Sequence, residues 1–272
     1  MTKHELVLGR VTDTPNEYAP EVLDAIPRSR NRELLGITAE LPFAGVDVWN
    51  AWELTWLGPG KRPAVATVRI VVPVNSPNII ESKSLKLYLN SFAMTEFDTA
   101  KDVEQRISTD LSSCVGSPVD VRLAPVSSTE ARTVARLAGR SLDDLDVDCA
   151  DWEVNAGLLR ADHDNIVTVD LHTHLLRSLC PVTAQPDTGS LQIAYRGPTI
   201  DPAGLLRYIV SYRQHSDFHE SCIERMFIDI KERCEPLDLA LHARYQRRGG
   251  IDINPFRSTS ARTPRDLRLW RQ

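Results

Sequence analysis

The sequence predicts an α+β fold in which antiparallel sheets carry their helices in pairs on one side. Extended segments come in hairpins and amphipathic helices come in twos, whereas a doubly wound fold alternates single strands with single helices. The order strand, strand, helix, helix, strand occurs twice, which indicates two tandem copies of one module. No GxGxxG segment follows a predicted strand, so a dinucleotide-binding doubly wound fold is disfavoured.

The first module is predicted over residues 46–127. Its hairpin is rich in β-branched and aromatic residues around the turn GPGKRP. A helix follows, with apolar residues at helical spacing, namely Leu85, Tyr88, Leu89 and Phe92. A second helix is capped by Asp98 or Thr99 and ended by Gly116, with an apolar stripe of Val103, Ile107, Leu111 and Cys114. Residues 119–126 return to a strand pattern.

The second module is predicted over residues 163–258 and repeats this order. Its final helix has an apolar stripe made of Ile223, Met226, Phe227, Ile230 and Cys234. The spacing from Pro77 to Phe97 equals that from Pro198 to Phe218, and each pair brackets a helix that carries a tyrosine. Aligned in this way, the first module has Thr99 where the second has Glu220. If the carboxylate of Glu220 binds a ligand, as the resemblance described below implies, the first module lacks that group, and we expect one binding site per chain, formed where the two modules meet.

The remaining segments are predicted to be irregular or polar. Residues 1–45 are interpreted as an irregular leader across the surface, and residues 128–162 as a linker with a short helix and an acidic stretch. The tail, residues 259–272, belongs to an arginine-rich stretch that begins at Arg257. We interpret this tail as a solvated segment or a strap over the domain, in preference to an RNA-contacting arm.

Composition restricts the class of protein. A formal net charge of -5 argues against a dedicated nucleic-acid binder. The chain has no apolar run of membrane-spanning length, and its start lacks the features of a secretory signal, so a cytoplasmic location without membrane contact is expected. The five cysteines form no CxxC pair, which disfavours both a disulfide framework and a zinc ribbon.

Cys180 and Asp187 stand in the segment SLCPVTAQPD, which follows an apolar, β-branched run. A nucleophilic cysteine requires surroundings that stabilise its thiolate, because the free thiol has a pKa of about 8.5. Asp187 lies close enough in sequence for the chain to fold it back towards the thiol. Free cysteines are mostly buried and inert, so the residues alone favour a packing thiol and leave a nucleophile possible.

Two histidine-containing segments are candidates for binding. In DFHES, Asp217 and Glu220 fit a capping box, with His219 as a partly exposed residue at the helix start. Alternatively, the carboxylate of Glu220 accepts hydrogen bonds from the adjacent amide and amino groups of a guanine-like ring. In DLHTH, His172 and His174 share one face of a strand, a spacing that metal sites use, but without further ligands a structural role is favoured.

Two basic segments are candidates for binding phosphate. In IIESKS, Glu81 and Lys83 stand at the start of a predicted helix, and in RRGG, Arg248 and Gly249 follow a predicted strand. Both segments fit solvated turns. In the functional interpretation, backbone N–H groups at the helix start, together with Lys83 and Arg248, hold phosphates.

Four segments in a fixed order carry a resemblance to a known family. They are SPNIIESKSLKLYLNSF, SLCPVTAQPD, FHESCIERMF and RYQRRGGIDINPFRS, and they span residues 76–258. Together they resemble the long, two-module form of the NADPH-dependent 7-cyano-7-deazaguanine reductases, the nitrile reductases of queuosine biosynthesis. The resemblance implies two tunnelling-fold modules in one chain, association as a homodimer, NADPH as cofactor, and no direct contact with tRNA.

The resemblance also implies a role for each matching residue. Cys180 is the nucleophile that forms a covalent thioimide with the nitrile, and Asp187 is the proton donor. The substrate is bound by Ile80, Glu81, Ser82, His219 and Glu220, and the cofactor by Ser82, Lys83, Arg248 and Gly249. Two positions depart from the family: Thr188 stands where an aromatic residue usually follows QPD, and Phe256 replaces the commoner tryptophan of NPW.

Two other functions compete with this one. A zinc-dependent cyclohydrolase-type enzyme on the same fold would use Cys180, His219 and Cys222 as ligands, since thiolates and imidazole suit zinc. That alternative leaves the ESKS segment and Asp187 unexplained. A non-enzymatic RNA-binding protein would instead use the arginine-rich tail.

Overall fold

The computed structural model describes residues 15–38, 40–128, 134–265 and 267–272. Its strands are β1 (Ala25–Pro27), β2 (Ala44–Gly58), β3 (Arg62–Pro73), β4 (Asn78–Ile80), β5 (Asp120–Pro125), β6 (Arg140–Ser141), β7 (Ala161–Leu179), β8 (Pro186–Ile200), β9 (Asp238–Tyr245) and β10 (Ile251–Ser258). Its α-helices are α1 (Ser29–Leu34), α2 (Ser82–Asn90), α3 (Ala100–Val115), α4 (Pro202–Ser211) and α5 (His219–Cys234). Among these helices, none is long and apolar enough to cross a membrane.

The main sheet has eight strands within the described residues, in the order β5-β3-β2-β10-β9-β8-β7-β6. All neighbours are antiparallel except the short pair β6 and β7. The other two strands, β1 and β4, form a separate antiparallel pair. The predicted combination of helices with antiparallel sheet is therefore confirmed. The strands of the two predicted modules, however, share one continuous sheet.

Strand β10 joins the two halves of this sheet and was not predicted. Ile251 pairs with Ala51 of β2, whereas Phe256 pairs with His242 of β9. Proline disfavours a central strand because it cannot donate a ladder hydrogen bond. Pro255 is tolerated at the point where pairing with β9 has not yet begun, since that pairing covers only residues 256–258.

The helix pairs of the two halves have matching positions. Four buried residues of α5 lie 119 residues after buried residues of α3: Cys222 after Val103, Met226 after Ile107, Ile230 after Leu111, and Cys234 after Val115. The predicted stripe of α5 is confirmed, and that of α3 is confirmed except that Val115 is buried while Cys114 is only partly so. This register places Lys101, not Thr99, opposite Glu220, so the predicted equivalence of Thr99 is wrong.

A buried tyrosine links the two helices of each pair. The Tyr88 hydroxyl of α2 donates to Asp110 Oδ2 of α3 at 2.6 Å. The Tyr208 hydroxyl of α4 donates to Asp229 Oδ2 of α5, also at 2.6 Å. The same bond therefore recurs at equivalent places in the two halves.

The helix ends follow their capping residues. Thr99 and Asp102 form a reciprocal capping box at the start of α3, and Gly116 ends that helix in the left-handed conformation at φ 72°. Asp201 caps α4 through the N–H groups of Ala203 and Gly204. These contacts explain why the boundaries of α3 were predictable from single residues.

The leader is wrongly predicted as irregular. Its described part contains β1 and α1, and β1 pairs with β4 next to α2. Arg28 and Arg32 from this segment are buried, with 5% and 8% of their surface exposed. The leader therefore contributes to the interior instead of lying across the surface.

The described part of the linker contains regular structure, and the tail matches the strap that was one of its two predicted forms. The short helix predicted at the start of the linker falls partly on residues 129–133, which lie outside the described residues, and the part from residue 134 onward contains β6 and a 3₁₀ turn at residues 156–158. In the tail, Leu269 and Gln272 are buried, and the Gln272 side chain donates to Asn254 Oδ1 at 2.6 Å. Arg268 lies 4.7 Å over the ring of Trp52. The tail is thus a strap held against the sheet.

A buried network of five charges lies where the two halves meet. Arg257 of β10 contacts Asp47 of β2 at 2.7 Å and Glu224 of α5 at 2.8 Å. Arg28 contacts Asp47 at 2.5 Å, and Arg32 contacts Glu224 at 2.8 Å. Burial by itself raises the pKa of Asp47 and of Glu224, but the arginines reverse this and hold both values low. Both carboxylates are therefore ionised and fully paired.

Replacing Glu224 with Gln should strongly destabilise the protein. The substitution leaves Arg32 and Arg257 without their buried counter-charge, which costs about 3–5 kcal/mol when one partner of a buried pair is removed. Urea unfolding at pH 7 measures the loss. Glu232→Gln, an exposed position on the same helix, is the matched control and should stay within about 0.5 kcal/mol of the wild type. Equal unfolding midpoints for both variants would contradict this account of the network.

Candidate active site

A cavity of about 190 Å³ lies between the two halves of the chain. The first half contributes the start of α2, and the second half contributes the loop between β7 and β8 and the start of α5. The predicted site residues that line the cavity are Ile80, Glu81, Ser82, Lys83, Cys180, Asp187, His219, Glu220 and Arg248. Gly249 is not in the lining but packs beside it, since a Cβ there would lie 3.1 Å from Lys86 Cδ.

Cys180 is half-buried at the end of β7, where the chain turns towards β8. The turn is closed by hydrogen bonds from the Cys180 N–H to the Gln185 carbonyl and from the Ala184 N–H to the Cys180 carbonyl, each 2.9 Å. Burial by itself raises the pKa of the thiol. Hydrogen bonds from the Thr183 side chain and from the N–H groups of Thr183 and Val182 outweigh burial and lower it. These donors distinguish Cys180 from an inert packing thiol.

Asp187 is the second residue of β8 and has only 4% of its surface exposed. Its Oδ2 lies 3.2 Å from His219 Nε2, and its Oδ1 accepts a hydrogen bond from Arg248. Burial by itself raises the pKa of Asp187, but His219 and then Arg248 lower it overall. In this arrangement Asp187 is a carboxylate, although the predicted role requires it to donate a proton.

The predicted capping box at the start of α5 is wrong. The N-cap residue is Phe218, and no side chain caps it. Asp217 Oδ1 instead accepts from the Phe218 N–H at 2.7 Å and from Asn31 of α1 at 2.9 Å. Glu220 is consequently not used as a capping residue.

Glu220 is buried beneath the cavity with 4% of its surface exposed, and its Oε1 has no hydrogen-bond partner. Burial first, and then the nearby charge of Asp47, raise its pKa to about 8, while Arg28 and Arg257 oppose the shift. A buried acceptor without a partner is costly. Glu220 is therefore suited to accept hydrogen bonds from a ligand that reaches the floor of the cavity.

His219 was predicted as a partly exposed residue at the helix start, but its ring is largely buried and fixed in orientation. Its ring stacks on Tyr245 with centroids 3.8 Å apart and an interplanar angle of 12°, and only 13% of its side chain is exposed. The stacking directs Nε2 at Asp187. His219 thus fixes the orientation of the carboxylate from one side while Arg248 holds it from the other.

Cations line the wall next to Asp187. Lys83 and Lys86 of α2 and Arg248 all border the cavity, and burial followed by the charge of Arg248 lowers the pKa of Lys86. The backbone N–H groups of Lys83 and Ser84 already donate to the Glu81 side chain, which caps α2. The predicted use of these N–H groups for phosphate is therefore wrong for this conformation, and the side chains are the available donors.

Sequence reasoning missed several lining residues. Thr183 was not identified, although a hydroxyl three residues after Cys180 is a readable signal in CPVT. Trp49 lines the cavity from a strand that carries no motif, and Gln246 was not singled out although it stands in the segment RYQRRGG. The Thr188 hydroxyl donates to the Gln246 side-chain carbonyl, so at the position where the family usually has an aromatic residue a polar contact fixes the wall. Phe256 is buried and packs edge-on against His242 at 5.4 Å.

His172 and His174 lie on β7 away from this lining. His172 Nδ1 is 3.2 Å from the Ala138 carbonyl, and His174 Nδ1 is 2.7 Å from Ser190 Oγ. Both histidines therefore have structural contacts, as favoured from the sequence. Within the described residues, no group of three or more His, Cys, Asp or Glu is arranged as a metal site, and Cys180, His219 and Cys222 form none.

Comparison with known proteins identifies the family. The family described as nitrile reductase, 7-cyano-7-deazaguanine-reductase N-term, matches residues 14–123, and that described as QueF-like protein matches residues 186–264. The NADPH-dependent 7-cyano-7-deazaguanine reductase of Dechloromonas aromatica (strain RCB) is 51% identical over 257 residues, covering 94% of this chain and 91% of that protein. The chain belongs to the 7-cyano-7-deazaguanine reductase family.

Membership of the 7-cyano-7-deazaguanine reductase family agrees with the resemblance seen in the sequence and argues against the cyclohydrolase-type and RNA-binding alternatives. A solved structure, the apo form of the archaeosine synthase QueF-Like, covers 36% of this chain and 96% of its own at a TM-score of 0.31 and 17% identity. A likeness of that size supports no conclusion about this fold.

Glu220→Gln should change how stability depends on pH. The free carboxyl ionises near 4.5, whereas folded Glu220 keeps its proton up to about pH 8. Between these values the folded state binds more protons, so the free energy of unfolding of the wild type falls as pH rises. Glutamine does not titrate, and the stability of the variant relative to wild type should rise steadily from pH 5 to pH 8.

Urea unfolding at pH 5, 6.5 and 8 measures this trend. Glu232→Gln, on the exposed face of the same helix, should show a constant difference from wild type across the range. A flat difference for Glu220→Gln as well would mean that Glu220 is already ionised in the folded protein.

Proposed function

We propose that this chain is an NADPH-dependent nitrile reductase that converts 7-cyano-7-deazaguanine to 7-aminomethyl-7-deazaguanine in queuosine biosynthesis. The name of the relative from Dechloromonas aromatica and the description of the matching family support this activity. The observation that carries the proposal is one cavity that joins a thiol of lowered pKa, a neighbouring carboxyl and an unpartnered buried carboxyl. In this proposal Cys180 is the nucleophile, Asp187 carries the proton, and Glu220 binds the purine-like ring of the substrate.

In this proposal Glu220 holds the deazaguanine through the amide and amino donors of its ring, with His219, Ile80, Glu81 and Ser82 around it. Binding satisfies the orphan Oε1 of Glu220. The Cys180 thiolate adds to the nitrile carbon, and a proton from Asp187 goes to the nitrile nitrogen, which gives a thioimide. When bound, NADPH would supply two hydrides to this carbon, one before and one after Cys180 leaves as a thiolate, and protons taken up by the nitrogen would complete the aminomethyl group.

The residues present fit NADPH. Lys83, Lys86 and Arg248 place three cationic side chains on the cavity wall beside Cys180, where Ser82 also lies. Arginine and lysine side chains are suited to phosphate groups. Gly249 has φ 59° and packs against Lys86, so a larger residue would be strained and crowded there.

We infer that the two halves are tandem tunnelling-fold modules within the boundaries predicted from the sequence. The common register of α3 and α5 and the matching Tyr–Asp bonds support this inference. We further propose a cytoplasmic homodimer that does not bind tRNA directly. The net charge of -5 and the contacts of Arg268 and Arg271 with the body of the protein support the last point.

The protein mixed with 7-cyano-7-deazaguanine, without NADPH, should form a covalent adduct. Intact mass should rise by the mass of the substrate, together with a new absorbance from the thioimide. Cys180→Ala should form no adduct, whereas Cys114→Ala, a partly buried thiol of α3 outside the cavity lining, should match the wild type. If Cys180→Ala formed the adduct, or if the wild type formed no adduct, the result would contradict the proposed mechanism.

Substrate should bind at one site per chain. Lys101 occupies the position in α3 that Glu220 has in α5, so the first half lacks the carboxylate that receives the base. Calorimetric titration of wild-type protein with 7-cyano-7-deazaguanine should saturate at one equivalent, and Glu220→Ala should lose this binding. Two equivalent sites would contradict the assignment.

A further inference from the structure

The pairing of Asp187 conflicts with its role as a proton donor. A carboxyl can give up a proton only if it first holds one, yet two cationic or hydrogen-bonding groups stabilise Asp187 as a carboxylate. His219 belongs to the proposed substrate site, but Arg248 belongs to the proposed cofactor site. The contact between Arg248 and Asp187 therefore connects the two sites through a single side chain.

Arg248 binds the first and the last side chain of the segment QPD, residues 185–187, which contains Asp187. One guanidinium nitrogen, Nη1, donates to Asp187 Oδ1, and the other, Nη2, donates to the side-chain carbonyl of Gln185. The Arg248 backbone is fixed by a 2.9 Å bond from its N–H to the Ile251 carbonyl. The guanidinium is partly open to the cavity, with 27% of the side chain exposed. A rigid backbone with an accessible head group allows the side chain to exchange partners.

We propose that Arg248 and Gln185 form a latch that slows proton transfer from Asp187 until an anion in the cavity draws the guanidinium away. This inference rests on the proposed function. The anion expected there is a phosphate of the cofactor, because Lys83 and Lys86 border the same wall. Opening of the latch would make Asp187 easier to protonate, and so a better proton donor, when the cofactor site is filled.

Other charges around Asp187 stay in place when the latch opens. The groups that face it are His219, Arg248, Lys86, Cys180, Cys222 and Tyr245. Asp187 is buried and would retain only the His219 contact, so its proton affinity would rise. An opposite charge within about 4–6 Å lowers the pKa of a carboxyl by 1–3 units, and losing Arg248 should recover much of that.

The protonation of the reactive form determines whether a higher pKa of Asp187 speeds or slows the addition of Cys180 to the nitrile. The reactive pair is a Cys180 thiolate with a protonated Asp187, which has the same number of protons as a thiol with a carboxylate. The two forms interconvert, and their ratio rises about tenfold for each unit by which the pKa of Asp187 increases. One S–C bond forms, one C–N π bond is lost, and the proton ends on nitrogen. Opening the latch should thus accelerate adduct formation.

The test measures the rate of adduct formation with 7-cyano-7-deazaguanine from pH 4 to pH 10 by stopped-flow absorbance, without NADPH. For Arg248→Gln we expect the plateau rate to rise at least about fivefold and the acidic limb of the profile to move to higher pH. Gln185→Ala, an exposed position that loosens Arg248 without changing charge, should move both in the same direction by less. A merely structural loss would lower the plateau.

Two controls isolate the latch. Arg247→Gln removes the adjacent exposed arginine and should leave the profile of the wild type unchanged. Saturating NADP⁺, which cannot donate hydride, should shift the wild-type profile as Arg248→Gln does and have no further effect on that variant. An unchanged or lowered plateau in Arg248→Gln, with the wild-type acidic limb, overturns the latch. Absence of any adduct in the wild type instead overturns the proposed function.

Discussion

The buried charge network is the constraint on which the site depends. Arg257 reaches from β10 to both carboxylates, Asp47 of β2 and Glu224 of α5, while Arg28 and Arg32 close the network from the leader. Three cations face two anions in a region nearly free of solvent. Such a network favours one particular arrangement of the chain, because each buried charge needs its partner to offset the free-energy cost of desolvation. It therefore fixes how the leader, the sheet and α5 meet.

The position of Glu220, the proposed substrate-binding carboxyl, follows from this network. Glu220 lies one turn before Glu224 on α5. The ion pairs of Glu224 therefore fix the position of Glu220 beneath the cavity. The network also acts on Glu220 through charge, since Asp47 raises its pKa while Arg28 and Arg257 lower it. The same residues thus supply both the geometry and the electrostatics of the cavity floor.

Much of the fold was predictable because local patterns carry it. The stripe of α5, and that of α3 except at Cys114, were read correctly from spacing, and Thr99 is one of the two caps predicted for α3. Strand β10 was missed because it pairs along its whole length with β2, about two hundred residues away, and because Pro255 argued against a strand. For the site, the motifs named nine of the residues that line the cavity, but not the bond between Arg248 and Asp187, which spans 61 residues. Long-range contacts of this kind leave no local signal.

The place of β10 in the sheet constrains the order in which the molecule can assemble. Every other strand of the main sheet precedes it in the chain, and β10 alone contacts both β2 and β9. During synthesis the two halves can each collapse around their own cores, but no strand lies between β2 and β9 until residues 251–258 have left the ribosome. The complete cavity is therefore one of the last features to form, because Ile251 and Ile253 of β10 line it, and contacts of such sequence separation favour slow folding. A truncated chain that stops before residue 251 would lack the strand that makes the main sheet continuous and part of the cavity lining.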